Sequence, residues 1–179
     1  MLRFREAWAG DWPALWTLME PVVRAGETYC WERDMDEEAA RREWLPGPAG
    51  PDPTLTVFVA LEPATDRVLA TAQLHANRGG PGAHVANASF LVAAEAAGRG
   101  VGRALAGHVL AEARKRGYTA MQFNAVVQTN ERAVALWTSL GFGIVGTVPR
   151  AFHHPVLGPT GLHIMHRFLE SPAPADGEG

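Results

Sequence analysis

The stretch Phe90-Leu91-Val92-Ala93-Ala94-Glu95-Ala96-Ala97-Gly98-Arg99-Gly100-Val101-Gly102-Arg103-Ala104-Leu105 decides how the rest of the 179-residue chain is read. An extended apolar run passes through a small glycine-rich turn into a helix. Val101, Leu105 and Val109 lie four apart along that helix, and Arg114, Lys115 and Arg116 fill its last turns, where cations suit the negative end of the helix dipole. At the other end the first backbone N–H groups have no partner within the helix, and the dipole adds partial positive charge. Glycines at 98, 100 and 102 let an anion approach those donors closely. The turn is therefore a candidate phosphate or pyrophosphate site. It is not the dinucleotide fingerprint, because its glycines are spaced two apart, and not a P-loop, because Arg103-Ala104 follows Gly102 in place of Lys-Ser/Thr.

Upstream, residues 2–8 read as a strand. Asp11 stands where it can cap a helix carrying Leu15, Leu18, Met19 and Val22, which Pro21 should kink or end. A second helix starts near Asp36 and stops before Pro46. The run from Pro46 to Pro53 has four prolines and two glycines and reads as a surface loop. Residues 54–61, 67–77 and 84–92 are β-rich and separated by turn sequences. Downstream of the glycine turn and its helix come a strand at 120–127, a helix at 130–140, and strands at about 142–149 and 161–169. The order βααβββαβαββ predicts an α/β (α+β) domain over residues 1–170 with a mixed, largely antiparallel sheet flanked by helices. The tail, 171–179, is rich in Pro, Gly and acid and reads as disordered.

Two motifs in order identify a family. The turn resembles the pyrophosphate loop, Arg/Gln-x-x-Gly-x-Gly/Ala, of the GNAT superfamily of acetyl-CoA-dependent N-acetyltransferases. Gly100 and Gly102 match it, and Ala97 departs from the usual Arg or Gln. The second motif, a strand followed by Asn-x-x-Ala-x-x-Leu-Tyr-x-x-x-Gly-Phe, resembles Asn130, Ala133, Leu136, Gly141 and Phe142 at the right spacing. Trp137 stands where many relatives carry a tyrosine that protonates the departing thiolate. An indole N–H cannot act as a general acid. Water or another group then supplies the proton, or the thiolate leaves ionised, since thiol pKa values are about 8.5. The resemblance implies a cofactor-binding set of Leu91, Val92, Gly98, Arg99, Gly100, Val101, Gly102, Arg103, Ala104, Asn130 and Trp137. It also implies a thioester carbonyl held by a backbone N–H of residues 90–92, and direct attack by a neutral amine in a ternary complex.

A narrower resemblance lies in Phe123-Asn124 with Thr129-Asn130, which is similar to the fungal and bacterial acetyltransferases acting on proline analogues such as azetidine-2-carboxylate. It implies catalytic roles for Asn87 and Asn124. An asparagine amide can donate to an oxygen that gains charge, or accept from an ammonium. Alternation puts Asn87 on a face with Ser89 and Leu91, and Asn124 with Gln122 and Val126. Tyr29, Trp31 and the segment Pro149-Arg150-Ala151-Phe152-His153-His154 are expected to frame the acceptor, with Arg150 available for a carboxylate. Glu27 reads as a solvated loop acid. The histidines at 153, 154, 163 and 166 form no metal motif, so no metal is expected.

Composition bounds the rest. Hydrophobic content of 47%, charged content of 20% and a formal net charge of −3 describe an ordinary globular chain. They offer no basis for nucleic-acid or membrane partners. The single cysteine, Cys30, excludes an internal disulfide, points to the cytoplasm, and reads as a buried structural thiol. The expected function is acetyl transfer to a small-molecule amine. The alternatives are a protein or peptide N-acetyltransferase and a non-catalytic acyl-CoA sensor. A homodimer through sheet edges or exchanged C-terminal strands is expected from the family resemblance.

Overall fold

The computed structural model describes residues 1–47 and 50–169. Strands β1 (Arg3–Glu6), β2 (Thr56–Leu61), β3 (Val68–Ala76), β4 (Val85–Val92), β5 (Ala120–Val127), β6 (Gly143–His154) and β7 (Gly158–Phe168) share one sheet, in the spatial order β1-β2-β3-β4-β5-β7-β6. The helices are α1 (Trp12–Ala25), α2 (Glu37–Trp44), α3 (Val101–Lys115) and α4 (Glu131–Ser139). This is the order βααβββαβαββ read from the sequence. The β-rich pattern from residue 54 becomes an antiparallel meander, β2-β3-β4, in which β4 keeps an unbroken register with β3 from Ala76↔Ala86 to Ala70↔Val92. A parallel neighbour needs a crossover connection. Helix α3 supplies it between β4 and β5.

Side-chain alternation sorts the sheet into two faces. On one, α2 is anchored by Trp44, which is fully buried and donates its indole N–H to Thr71 Oγ1 at 3.1 Å. Gln73 Nε2, two residues along β3, donates to the carbonyls of Glu43 and Trp44 at 2.8 and 3.0 Å. On the other face, α3 lays His108 flat on Phe4, ring centroids 4.9 Å apart, and edge-on to Phe58. Leu105 and Val109 of α3 are fully buried.

Four expectations need correction. Pro21 does not end α1, which runs on to Ala25 and stops at Gly26 in the left-handed conformation. The proline forfeits one backbone hydrogen bond, but Leu18, Met19 and Val23 on either side of it are buried and hold the helix in place. Asp11 sits at the N-terminus of α1 without capping it. Its carboxylate instead takes both guanidinium nitrogens of Arg5, at 2.7 and 2.8 Å, and the Trp8 N–H at 2.9 Å. Strand β6 does not stop at 149. Register jumps from Val148↔Leu162 to Phe152↔Thr160, so Pro149, Arg150 and Ala151 bulge out and pairing resumes to His154↔Gly158. A proline is tolerated there because β6 is an edge strand and the bulge needs no N–H. Cys30 is exposed, not buried. The expected loop at 46–53 includes Pro48 and Ala49, which lie outside the described residues, as does the expected disordered tail.

Candidate active site

Strands β4 and β5 pair only at their first residues, Val85↔Ala120 and Ala86↔Met121. Beyond that point they splay and open a cleft of about 510 Å³. Its walls are β4 from Asn87 to Val92, β5 from Phe123 to Val126, the segment Thr28–Trp31, Val22 of α1, Glu43 of α2, and Asn130, Ala133 and Trp137. The pairing with β3 determines what β4 presents to it. The Ala93 N–H donates to Leu69 O and Val85 O accepts from Asn77, so odd-numbered residues turn their backbone groups toward β3. The N–H and C=O of Ala88, Phe90 and Val92 therefore face the gap. Leu91 turns its backbone to β3 and contributes a buried side chain to the wall.

At one end of the gap lies the start of α3. Gly98 and Gly100 both adopt positive φ, +75° and +78°, and Gly100 is the N-cap. The Ala104 N–H is the first to close a helical turn, onto Gly100 O at 3.0 Å. The N–H groups of Val101, Gly102 and Arg103 precede it and stay outside the helical ladder. A β-carbon at Gly102 would meet Val92 Cγ2 at 3.3 Å, so the helix start is packed directly against the end of β4. Arg99 and Arg103 flank the turn, the first 3.4 Å from Glu62 and the second 2.6 Å from Ser139 Oγ.

The two faces of the sheet give the cleft two chemistries. On the α3 side, Trp137 is buried among Phe90, Phe123 and Phe142, with centroids 4.9, 4.7 and 6.1 Å away. On the α2 side the wall carries the amide of Asn124, held by two further amides outside the lining. Gln122 Nε2 donates to Asn124 Oδ1 at 2.9 Å, and Asn124 Nδ2 donates to Asn77 Oδ1 at 2.7 Å. A one-residue bulge in β5 between Phe123 and Val126 carries Asn124 and re-aims it. Asn87 lines the same cleft from β4. Asn130 is the N-cap of α4, its Oδ1 accepting from the Ala133 N–H at 3.2 Å, which leaves its NH2 group for other partners.

Sequence reasoning missed Asn77, whose place before Arg78-Gly79-Gly80 looks like turn chemistry. It also missed what Tyr29 does. The Tyr29 hydroxyl donates to Phe90 O at 2.8 Å and accepts from the Phe90 N–H at 3.1 Å, closing on both cleft-facing groups of that residue. The ring stacks on Trp31 at 4.1 Å and meets Trp44 edge-on at 6.3 Å. Burial pushes the phenol far above its ordinary pKa, and the hydrogen bond with Phe90 offsets this only in part. Beyond Trp31 the cleft meets a second hollow of about 380 Å³, between residues 26–33 and Ala151–Pro155. Its far wall is part of the expected framing segment, now strand and hairpin. Arg150 is absent from both linings and exposed on the bulge.

The remaining candidates stay apart. Glu27 is exposed and outside the cleft. His75 of β3, a histidine outside the cleft lining, leans on Asp52 at 3.3 Å. His163 pairs with Thr147 at 2.7 Å, and His154 Nδ1 accepts two hairpin N–H groups. Among the described residues no group of three or more His, Cys, Asp or Glu is placed to hold a metal ion. No helix of the described residues is long and apolar enough to cross a membrane.

The same architecture is found in known proteins. A GCN5-related N-acetyltransferase from Kribbella flavida is 51% identical, with a TM-score of 0.87 over 94% of this chain and 98% of that one. A ribosomal-protein-alanine N-acetyltransferase from Brucella melitensis is 27% identical, with a TM-score of 0.78 over 93% and 99%. A Sinorhizobium meliloti phosphinothricin acetyltransferase in complex with acetyl-CoA shares the fold at 22% identity, with a TM-score of 0.79 over 99% and 94%. The N-acetyltransferase aca1 of Schizosaccharomyces pombe is 35% identical over 68 residues, which span 38% of this chain and 32% of that protein. The sequence model of the acetyltransferase (GNAT) family matches residues 5–142, and the chain belongs to that family.

Proposed function

We propose that this acetyltransferase moves the acetyl group of acetyl-CoA onto the amine of a small molecule, with a proline analogue or another small amino acid as the acceptor class. The observation that carries the reading is the amide wall. Gln122, Asn124 and Asn77 are hydrogen-bonded in series on the face of the sheet that also carries Asn87, beside the stacked rings of Tyr29 and Trp31. Neutral amides can accept from an ammonium or amine and donate to a carboxylate without committing the site to one charge.

The residues present fit acetyl-CoA. The unladdered N–H groups of Val101, Gly102 and Arg103, entered through Gly98 and Gly100 and flanked by Arg99 and Ala104, would hold its pyrophosphate. The gap-facing backbone of Val92, with Leu91 behind it, would receive the extended pantetheine chain as a strand edge receives a strand, the groups of Phe90 being taken by the Tyr29 hydroxyl. Asn130 and Trp137 close the far side. Acetyl-CoA supplies the activated acyl group, and the protein aligns the amine beside it. Alignment and polarisation then account for most of the rate. Among the described residues Glu43 is the one carboxylate lining the cleft and no histidine lines it, so the amine proton passes to Glu43 or to water. An unpaired, exposed cysteine fits a reducing cytoplasm.

The second hollow supports another reading. It prolongs the cleft past Trp31, giving an extended peptide somewhere to lie, and the Brucella relative is named for a protein substrate. The edge strand β6 supports a homodimer, since Ile144, Val145 and Val148 are 48–71% exposed along it and a second copy could cover that apolar edge. The decisive experiment is CoA release from acetyl-CoA with azetidine-2-carboxylate, proline analogues, other amines and alanine-initiated peptides. Wild type is compared with folded Asn87→Ala and Asn124→Ala. Turnover of cyclic amino acids that both variants lose, with acetyl-CoA binding intact, is the expected result. Turnover of peptides alone would overturn the small-molecule reading.

A further inference from the structure

The Phe90 N–H is a cleft-facing donor at the middle of β4, two residues before the Val92 side chain that touches the start of α3. A ligand whose phosphates sit at α3 and whose chain follows β4 brings its acyl end to this stretch. Yet the donor is not open. Tyr29, 61 residues away in sequence, has its oxygen on that N–H and its proton on the carbonyl of the same residue. Two aromatic rings hold the phenol there, Trp31 face to face and Trp44 edge-on to both Tyr29 and Trp31. Trp44 is itself locked by Thr71. The hydroxyl of a clamped ring keeps one freedom, rotation of its O–H about the C–O bond.

We propose that Tyr29 is a catalytic residue, its O–H swinging from the Phe90 carbonyl to the thioester carbonyl oxygen while its own oxygen still accepts from the Phe90 N–H. The inference rests on the acetyl-transfer reading of the cleft. A donor that is itself accepting a hydrogen bond is strengthened by it, so the backbone N–H acts through the phenol. As the amine nitrogen bonds to the carbonyl carbon and the C–S bond breaks, the electron pair leaves on sulfur and the amine proton goes to Glu43 or to water. Tyr29 keeps its proton throughout. Burial supports that division of labour, because a phenol whose pKa is pushed up stays a neutral donor at every working pH. It also accounts for how the site functions with Trp137 in place of a tyrosine: no proton is delivered to sulfur by either ring.

The opposing possibility is that Tyr29 merely plugs the Phe90 N–H until ligand displaces it, and Tyr29→Phe separates the two. The first readout needs no acceptor: the infrared carbonyl band of acetyl-CoA labelled with carbon-13 at the carbonyl, bound to wild type and to the variant, with free CoA as the binding control. The proposal expects the bound carbonyl at lower frequency in wild type than in Tyr29→Phe, with free CoA binding both equally. In turnover it expects kcat to fall by roughly 10²-fold, the scale for removing one such donor, with the acetyl-CoA Kd changed by less than about threefold. Fluorotyrosine at position 29, in a Tyr118→Phe background, keeps the shape and sharpens the donor. It should move the band further down. An unchanged band in Tyr29→Phe, or tighter acetyl-CoA binding with undiminished kcat, overturns the proposal. A shifted band in a wild type that acetylates none of the amines tested would leave Tyr29 in place and sink the acceptor assignment alone.

Discussion

Replacing Gly100 by alanine tests whether the turn before α3 is built to present its N–H groups. Gly100 has φ +78°, and a β-carbon there would meet nothing within 4 Å. The substitution therefore carries no steric clash, and its whole cost is the left-handed backbone, about 1–2 kcal/mol for an L residue. The variant can respond in two ways. If it keeps the turn, it bears the strain as lost stability, and at roughly 2–4 °C per kcal/mol for a chain of this size Tm falls by about 2–8 °C. If it relaxes to negative φ, stability is spared, but the N–H groups of Val101, Gly102 and Arg103 are no longer presented together. Ligand binding must then restore the strained form, and CoA affinity falls by about 5- to 30-fold.

Both responses draw on one quantity, so the free energies lost in folding and in binding should sum to about 1–2 kcal/mol. Calorimetric unfolding and isothermal titration with CoA measure the two terms. Gly107→Ala is the control: it lies in the exposed middle of the same helix with open space around it, and should gain about 0.5–1 kcal/mol with CoA binding unchanged. If Gly100→Ala leaves both stability and affinity within about 0.3 kcal/mol of wild type, the turn is not a strained anion cradle and the reasoning fails.

Burial raises the Asp11 pKa, but the hydrogen bonds from Arg5 and the Trp8 N–H outweigh it, and the carboxyl lies below its ordinary range. Its stabilisation is therefore complete above about pH 4 and is lost as pH falls through the lowered pKa; urea unfolding of wild type and Asp11→Asn should converge near pH 2 and diverge at pH 6. Asn77→Ala leaves the Asn124 amide without its 2.7 Å partner, a loss of about 1 kcal/mol; kcat should fall roughly fivefold with the CoA Kd unchanged, and an unchanged kcat would remove Asn77 from the positioning chain. The double variant Val145→Lys and Val148→Lys places two cations on the exposed apolar edge of β6; sedimentation velocity should show a dimer for wild type and a monomer for the variant, and identical species in both would exclude this edge as the interface.

The glycine turn was legible because its physics is local. Alternating glycines, a helix start and an apolar strand are written side by side, and each restricts the same few backbone angles. The order of elements was legible for the same reason, since periodicity and turn chemistry act within about ten residues. What resisted reading was decided between distant segments. Pro21 looks like a helix end until Met19 and Val23 are seen buried on either side of it. Cys30 looks like a core thiol until the aromatic residues flanking it, Tyr29 and Trp31, are seen to take the interior places and leave it outside.

Tyr29 shows why such a residue escapes sequence reasoning and still has a physical necessity. The splay of β4 from β5 leaves a row of backbone groups that neither neighbouring strand can pair, and unpaired buried amides are costly. A fold with such a gap must fill it with water, ligand or side chains, and a side chain that fills it must both donate and accept from one position. Serine, threonine and tyrosine hydroxyls can do so, and tyrosine alone reaches across from a loop on a rigid ring. The same dual capacity that lets Tyr29 satisfy Phe90 in the free protein lets it exchange one partner for an acyl oxygen without leaving the other. In this cleft the device that completes the sheet and the device that polarises the substrate can be one hydroxyl, and that is why removing it should change the bound carbonyl more than it changes the fold.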